Sequence, residues 1–157
     1  EEELPVYERL GGVRNKAATM YKIAALLHAR GQLDEPLRIL RDLVLPVYER
    51  LGDMRSSAGA MTKLAEILVA QGQLDDAHRI LRNEVLPALT TLGDQHALLV
   101  TQANLAVTLL RTQKPEHRPE AITLLTAALT NAVALNLPLE AEQLRDVFRY
   151  FNLPAPH

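Results

Sequence analysis

Leu4-Pro5-Val6-Tyr7-Glu8-Arg9-Leu10-Gly11 returns unchanged as Leu45-Pro46-Val47-Tyr48-Glu49-Arg50-Leu51-Gly52, an offset of 41 residues. Gly31-Gln32-Leu33-Asp34 returns as Gly72-Gln73-Leu74-Asp75 at the same offset. Sliding residues 1–41 over 42–82 leaves 23 of the 41 pairs identical. Identity at one fixed period marks a repeat architecture. A third copy has drifted: Leu86-Pro87 and Leu92-Gly93 keep the register, but the loop around Lys114–Arg118 gains about three residues.

Each unit reads as two helices. In helix A, Ala17, Met20, Ala24 and Leu27 recur at α-helical spacing, and Ala58, Met61, Ala65 and Leu68 repeat that stripe. The pattern predicts helix A over 13–30 and 54–71. Gly31 and Gly72 are expected to close it, and Asp34 and Asp75 to cap helix B. Helix B then runs to Leu51 or Leu92, ends at Gly52 or Gly93, and hands over to Asp53 or Asp94 as the next cap. Pro46 therefore falls inside B, where it removes the bond to the Asp42 carbonyl and crowds that turn, at a cost of about 3 kcal/mol. A kink and a split at Leu45 both accommodate it.

Glu1 aligns with Asp42, so the chain is expected to open midway along a B helix, as part of a longer protein. Expected boundaries are 1–11 for the end of a truncated repeat, 12–52 and 53–93 for two repeats, and 94–136 for a divergent repeat. A capping helix is expected over 137–152 and a tail over 153–157. In the capping helix Ala141, Leu144, Val147, Phe148 and Phe151 share one apolar face. His157 is given no role.

Composition narrows the function. Lys plus Arg number 17 against 19 for Asp plus Glu, a net charge of -2 without a basic block, which argues against nucleic acid as a partner. No apolar run approaches the roughly 18 residues of a membrane span, so no membrane partner is expected, and the default location is the cytoplasm. Cysteine is absent, which removes disulfides, thiolate ligands and a thiol nucleophile. His28, His78, His96 and His117 never pair at i, i+4. Glu116, His117 and Glu120 are the nearest approach to a metal-ligand cluster, and they read as a polar loop instead. Glycines occur singly apart from Gly11-Gly12, so there is no phosphate cradle. No catalytic residue, cofactor or metal is expected.

The chain resembles tetratricopeptide-like repeats of the long, 41 to 42 residue kind, as in kinesin light chains and the sensor arms of maltose-regulator-like bacterial signalling ATPases. Ile23-Ala24, Leu27, Gly31 and Leu40 fill that family's packing slots, as do Leu64-Ala65, Leu68, Gly72, Ala77 and Leu81. Leu92-Gly93-Asp94-Gln95-His96 and Ala103-Asn104-Leu105-Ala106 resemble the kinesin-light-chain version. Pro36 in place of a small residue and Gln113 in place of the turn glycine depart from it; the period also lies within the range of HEAT repeats. The resemblance implies an all-α, right-handed solenoid of antiparallel helix pairs and a non-enzymatic module that binds a protein or peptide.

The two copies also differ in a pattern. Ala18, Tyr21, Ala25 and His28 become Gly59, Thr62, Glu66 and Val69, a stripe beside the invariant one. The third copy carries Val100, Ala103, Val107 and Leu110 there. The resemblance places this stripe on the inner, concave side that meets the ligand. The expected partner-binding residues are thus Tyr21, Ala25, His28, Thr62, Glu66, Val69, Val100, Ala103, Val107 and Leu110. Neutral drift of an exposed face is the competing explanation. Self-association through Leu4, Val6 and Leu10 at the N-terminal end is the alternative function.

Overall fold

A computed structural model describes the backbone of residues 3–156 and the side chains of residues 9–156. The fold is all-α and of helical-repeat type, with no strand among the described residues. Contacts divide it into two compact units, one up to Gly72 and one from Gln73 onward. The first contains α1 (Glu3–Ala29), α2 (Asp34–Ile39), α3 (Leu45–Leu51) and α4 (Met54–Ala70). The second contains α5 (Leu74–Ile80), α6 (Leu86–Leu92), α7 (Gln95–Arg111), a short 3-10 turn at Pro115–His117, α8 (Arg118–Ala134) and α9 (Pro138–Tyr150).

The proline inside helix B does not split the helix at Leu45; a π turn precedes it. Between α2 and α3, residues Leu40–Val44 form one π turn, and Leu81–Val85 form its copy between α5 and α6. Leu45 N–H donates to the Leu40 carbonyl and Leu86 N–H to that of Leu81, each five residues back. Leu45 itself keeps helical geometry, with φ −58° and ψ −45°. The wide turn shifts the hydrogen-bond register by one residue just before the proline. Pro46 and Pro87 are exposed, as are Asp42 and Asn83 four residues earlier. Each proline ring therefore sits on the exposed side of the helix.

The π turn also sets which residues enter the core. Pro36, Leu40, Val44 and Tyr48 are all buried, and so are Ala77, Leu81, Val85 and Leu89. Both series advance in steps of four, twelve residues over three turns, whereas an α-helix needs about eleven. A helix of pure α geometry would rotate the last member out. Helix α8 supplies the control, having no π turn and no proline beyond its first turn. Its buried residues are Ala121, Leu125, Ala128, Leu129 and Ala132; the series reaches its end in steps of four, three and four, whereas the strict step of four through Leu129 ends on Val133, which is 57% exposed. The chain length agrees. Sixteen residues separate Pro36 from left-handed Gly52 and Ala77 from left-handed Gly93, but fifteen separate Ala121 from left-handed Asn136.

In the first unit the composite helix α2–π–α3 packs against both α1 and α4. In the second, α5–π–α6 packs on α7, α7 on α8, and α8 on α9. Ala141, Leu144 and Phe148 of α9 are buried, with Val147 and Phe151 half-buried beside them.

Two local expectations are corrected. The break expected near Gly11 is absent, because α1 runs unbroken from Glu3 to Ala29. At the second copy Gly52 turns left-handed and the Asp53 side chain accepts from Ser56 N–H, starting α4; the first copy has Gly12 in the place of that aspartate and no side chain to cap with. Asp34 and Asp75 do not cap helix B. Leu33 and Gln73 hold the cap positions, and the aspartates lie in the first turn, where their charge favours the positive end of the helix. Asp53 and Asp94 do cap α4 and α7, and Gly31, Gly52, Gly72 and Gly93 all take the left-handed conformation expected of them.

Candidate protein-binding surface

The ten residues expected to meet a partner fall on three A-type helices. Tyr21, Ala25 and His28 lie on α1, Thr62, Glu66 and Val69 on α4, and Val100, Ala103, Val107 and Leu110 on α7. Glu66 and Val100 are exposed and the other eight half-buried; none belongs to the core. In the neighbouring stripe Ala17, Ala24, Ala58, Ala65, Leu68 and Ala106 are buried, while Met20, Leu27 and Met61 are half-buried.

Within the first unit, Tyr21 joins Tyr48, Ser56, Gly59 and Ala60 around a cavity of about 220 Å³. Tyr48 holds its proton more tightly than a free tyrosine because burial disfavours the phenolate. Thr62 donates to the Ala58 carbonyl at 2.9 Å, so its hydroxyl is turned to its own helix. Glu66 pairs with Lys63 at 2.6 Å. Arg14 reaches Asp53 at 2.5 Å and ties α1 to the start of α4. Hydrogen bonds from Ser56, together with Arg14, hold the Asp53 carboxyl below the usual carboxylate range.

In the second unit, Val107 and Leu110 border a cleft of about 500 Å³ between α7 and α9. The rest of its wall is Arg111, Gln113, Asp146, Val147, Tyr150 and Phe151. Periodicity in the sequence did not single out Arg111, Asp146 or Tyr150. Helical spacing carried a signal for the last two, since Asp146 and Tyr150 flank Val147 on the same turn sequence, but their pairing with α7 is a tertiary contact.

The loop with the nearest approach to a metal-ligand cluster is otherwise engaged. His117 Nδ1 lies 2.6 Å from Thr112 Oγ1, its ring meets His78 edge-on at 5.6 Å, and Glu120 is paired with Arg82. Among the described residues no group of three His, Asp or Glu side chains stands where it could hold a metal. No helix among them is long and apolar enough to cross a membrane.

The tetratricopeptide repeat family matches residues 58–83, which run from α4 through the turn at Gly72 into α5 and the first residues of the second π turn. No curated protein matches the chain. The matched segment is a tetratricopeptide-like repeat, a type of unit that points to protein interaction.

Proposed function

We propose that this chain is a non-enzymatic, cytoplasmic repeat module that binds a protein or peptide through the open stripe of its A helices: Tyr21, Ala25, His28, Thr62, Glu66 and Val69 in the first unit, and Val100, Ala103, Val107 and Leu110 in the second. The observation that carries it is a difference between adjacent stripes of the A helices: the one invariant between the first two copies is buried at Ala17, Ala24, Ala58, Ala65 and Leu68, whereas the varying one has no buried member. The tetratricopeptide match at 58–83 supports a role in protein interaction. The family resemblance supports a right-handed repeat array, with boundaries at 12–52, 53–93 and 94–136, serving as a sensor or scaffold arm in a larger signalling protein. The test replaces Tyr21, His28, Glu66 and Val69 with alanine together and follows partner capture beside thermal stability. Capture lost with stability kept is the expected result; undiminished capture overturns the proposal.

A second reading, self-association, is favoured by one specific comparison. Ile23 and Leu26 of α1 are 40% and 53% exposed, while their counterparts Leu64 and Ile67 in α4, and Leu105 and Thr108 in α7, are buried. Leu10 is exposed on the same helix; Leu4 and Val6 lie outside the described side chains. This apolar strip would stack on a helix of a second copy. Light scattering of the wild type against Ile23→Lys/Leu26→Lys separates the readings, because only self-association loses its dimer signal.

A further inference from the structure

The second copy carries a titratable version of a contact that the first copy makes with an uncharged partner. In the first unit Asp34, at the start of α2, accepts from Gln71 at the end of α4 at 3.2 Å, and Leu37 stands three residues further along α2. Their counterparts 41 residues on are Asp75 and His78 of α5. Asp75 reaches the loop after α7 through Lys114, with Nζ 3.6 Å from Oδ1, and His78 brings its Nδ1 to 3.9 Å from the same oxygen. Two groups thus contend for one carboxylate oxygen, and only Lys114 is charged throughout the neutral range.

The α7–α8 loop has a second hold on α5. The His117 ring meets that of His78 edge-on, with centroids 5.6 Å apart. Thr112 gives its hydroxyl proton to the Leu109 carbonyl at 2.6 Å, so the 2.6 Å contact between Thr112 Oγ1 and His117 Nδ1 takes the ring as donor and sets its tautomer. His78 has no such anchor. Its Nδ1 is buried without a hydrogen bond, and burial first, then Arg82 and His117, oppose its protonation, against Asp75 and Glu120. Glu120 is already paired with Arg82. Elsewhere around α5, Arg79 pairs with Asp76 at 3.1 Å, Arg118 donates to the Asn152 carbonyl at 2.9 Å, and Glu84 and Glu116 are exposed. Helix α7, which packs on α5, carries only His96 and Arg111, at its two ends. Asp75 is therefore the anion within reach of a protonated His78.

We propose that Asp75, His78 and Lys114 form an acid-sensitive clasp on the α7–α8 loop: with His78 neutral the Asp75 carboxylate holds Lys114 and the loop lies closed on α5, and with His78 protonated the imidazolium takes that carboxylate and frees the loop. The step is one proton from solvent to His78 and an exchange of partners at Asp75 Oδ1. Turning toward Asp75 carries the ring away from the His117 edge, so both holds are lost together. With the folded pKa of His78 below its ordinary value, the clasp is closed at neutral pH and opens as pH falls through that lowered value. The first copy, with Leu37 and Gln71 at the matching places, has no such switch. The inference is independent of what the open stripe binds.

NMR of the whole chain between pH 7.5 and 5 tests the clasp. Imidazole shifts give the His78 midpoint, a cross-peak between the two rings reports the edge contact, and exchange protection of the His117 amide, which donates to the Lys114 carbonyl at 3.0 Å, reports the closed loop. The cross-peak should vanish with the His78 midpoint. Protection at His117, after allowance for the intrinsic pH dependence of exchange, should fall about threefold to fivefold in step with it, the scale of one exposed ion pair. His78→Gln should hold that protection level across the range. Lys114→Met, a change to an exposed side chain, should raise the His78 midpoint, because Asp75 is then uncontested. Protection that survives the His78 titration, an equal fall in His78→Gln, or an unmoved midpoint in Lys114→Met overturns the proposal. A parallel loss of protection at buried Leu125 of α8 would mean that the unit opens as a whole, and overturns it as well.

Discussion

Single residues at helix ends decide where this chain turns. Gln113, Asn136 and Asn152 occupy the left-handed positions that glycine fills elsewhere in the chain. Asparagine tolerates that conformation; glutamine gains nothing local from it. Gln113→Gly is expected to raise unfolding free energy by about 1 kcal/mol, read from the urea midpoint. The caps divide similarly. Asp53 accepts from Ser56 N–H and Arg14, whereas Asp34 makes only one exposed contact, to Gln71. Asp53→Ala should therefore cost about 1–2 kcal/mol and Asp34→Ala only a few tenths, by the same measurement. His78 adds a pH dependence. Burial first, then Arg82 and His117, lower its pKa, against the opposing pull of Asp75 and Glu120, and its buried Nδ1 has no hydrogen-bond partner. With the folded pKa below the unfolded value of about 6.5, its stabilising share is present above that value and is lost as pH falls through the folded one. Unfolding free energy should fall from pH 7.5 to 5 more steeply for wild type than for His78→Gln.

At the scale of the helix, the proline and the π turn act as one device. Deleting exposed Leu43 together with Pro46→Ala converts helix B to plain α geometry with steps of four, three and four, the pattern that α8 already uses. That double change should keep the buried series and most of the stability. The same deletion with Pro46 retained places the ring inside an uninterrupted α-helix and should cost about 3 kcal/mol. Equilibrium unfolding of the two variants checks the difference. Helix ends, the 41-residue period and the buried stripe were legible, because Gly, Asp and apolar spacing act locally. The π turn was not legible, since a proline inside a helix is weighed against α geometry and the compensating step of four is visible only once burial is known. The unbroken α1 was missed for a related reason. Leu4–Gly11 and Leu45–Gly52 are identical, so the difference lies in the next residue, Gly12 in one copy and Asp53 in the other. The α7–α9 cleft was half legible: Val107, Leu110, Val147 and Phe151 stood out by periodicity, but nothing in the spacing placed Arg111 beside Tyr150.

For the molecule as a whole, the proposed function rests on a difference in burial between two adjacent stripes of each A helix. Ala24, Ala65 and Ala106 are buried in the three copies, while the next residue in each, Ala25, Glu66 and Val107, is exposed or half-buried and free to change its chemistry. The second copy already carries a glutamate at the open position. The most direct measurement is the unfolding free energy of Ala24→Glu beside that of Ala25→Glu, substitutions of the same chemistry one residue apart on α1. The buried site should lose at least about 3 kcal/mol or fail to fold, because a carboxylate would enter a closed alanine contact, and the open site should stay within about 0.5 kcal/mol of wild type. Equal losses at the two positions would contradict the division of each A helix into a packing stripe and an open one.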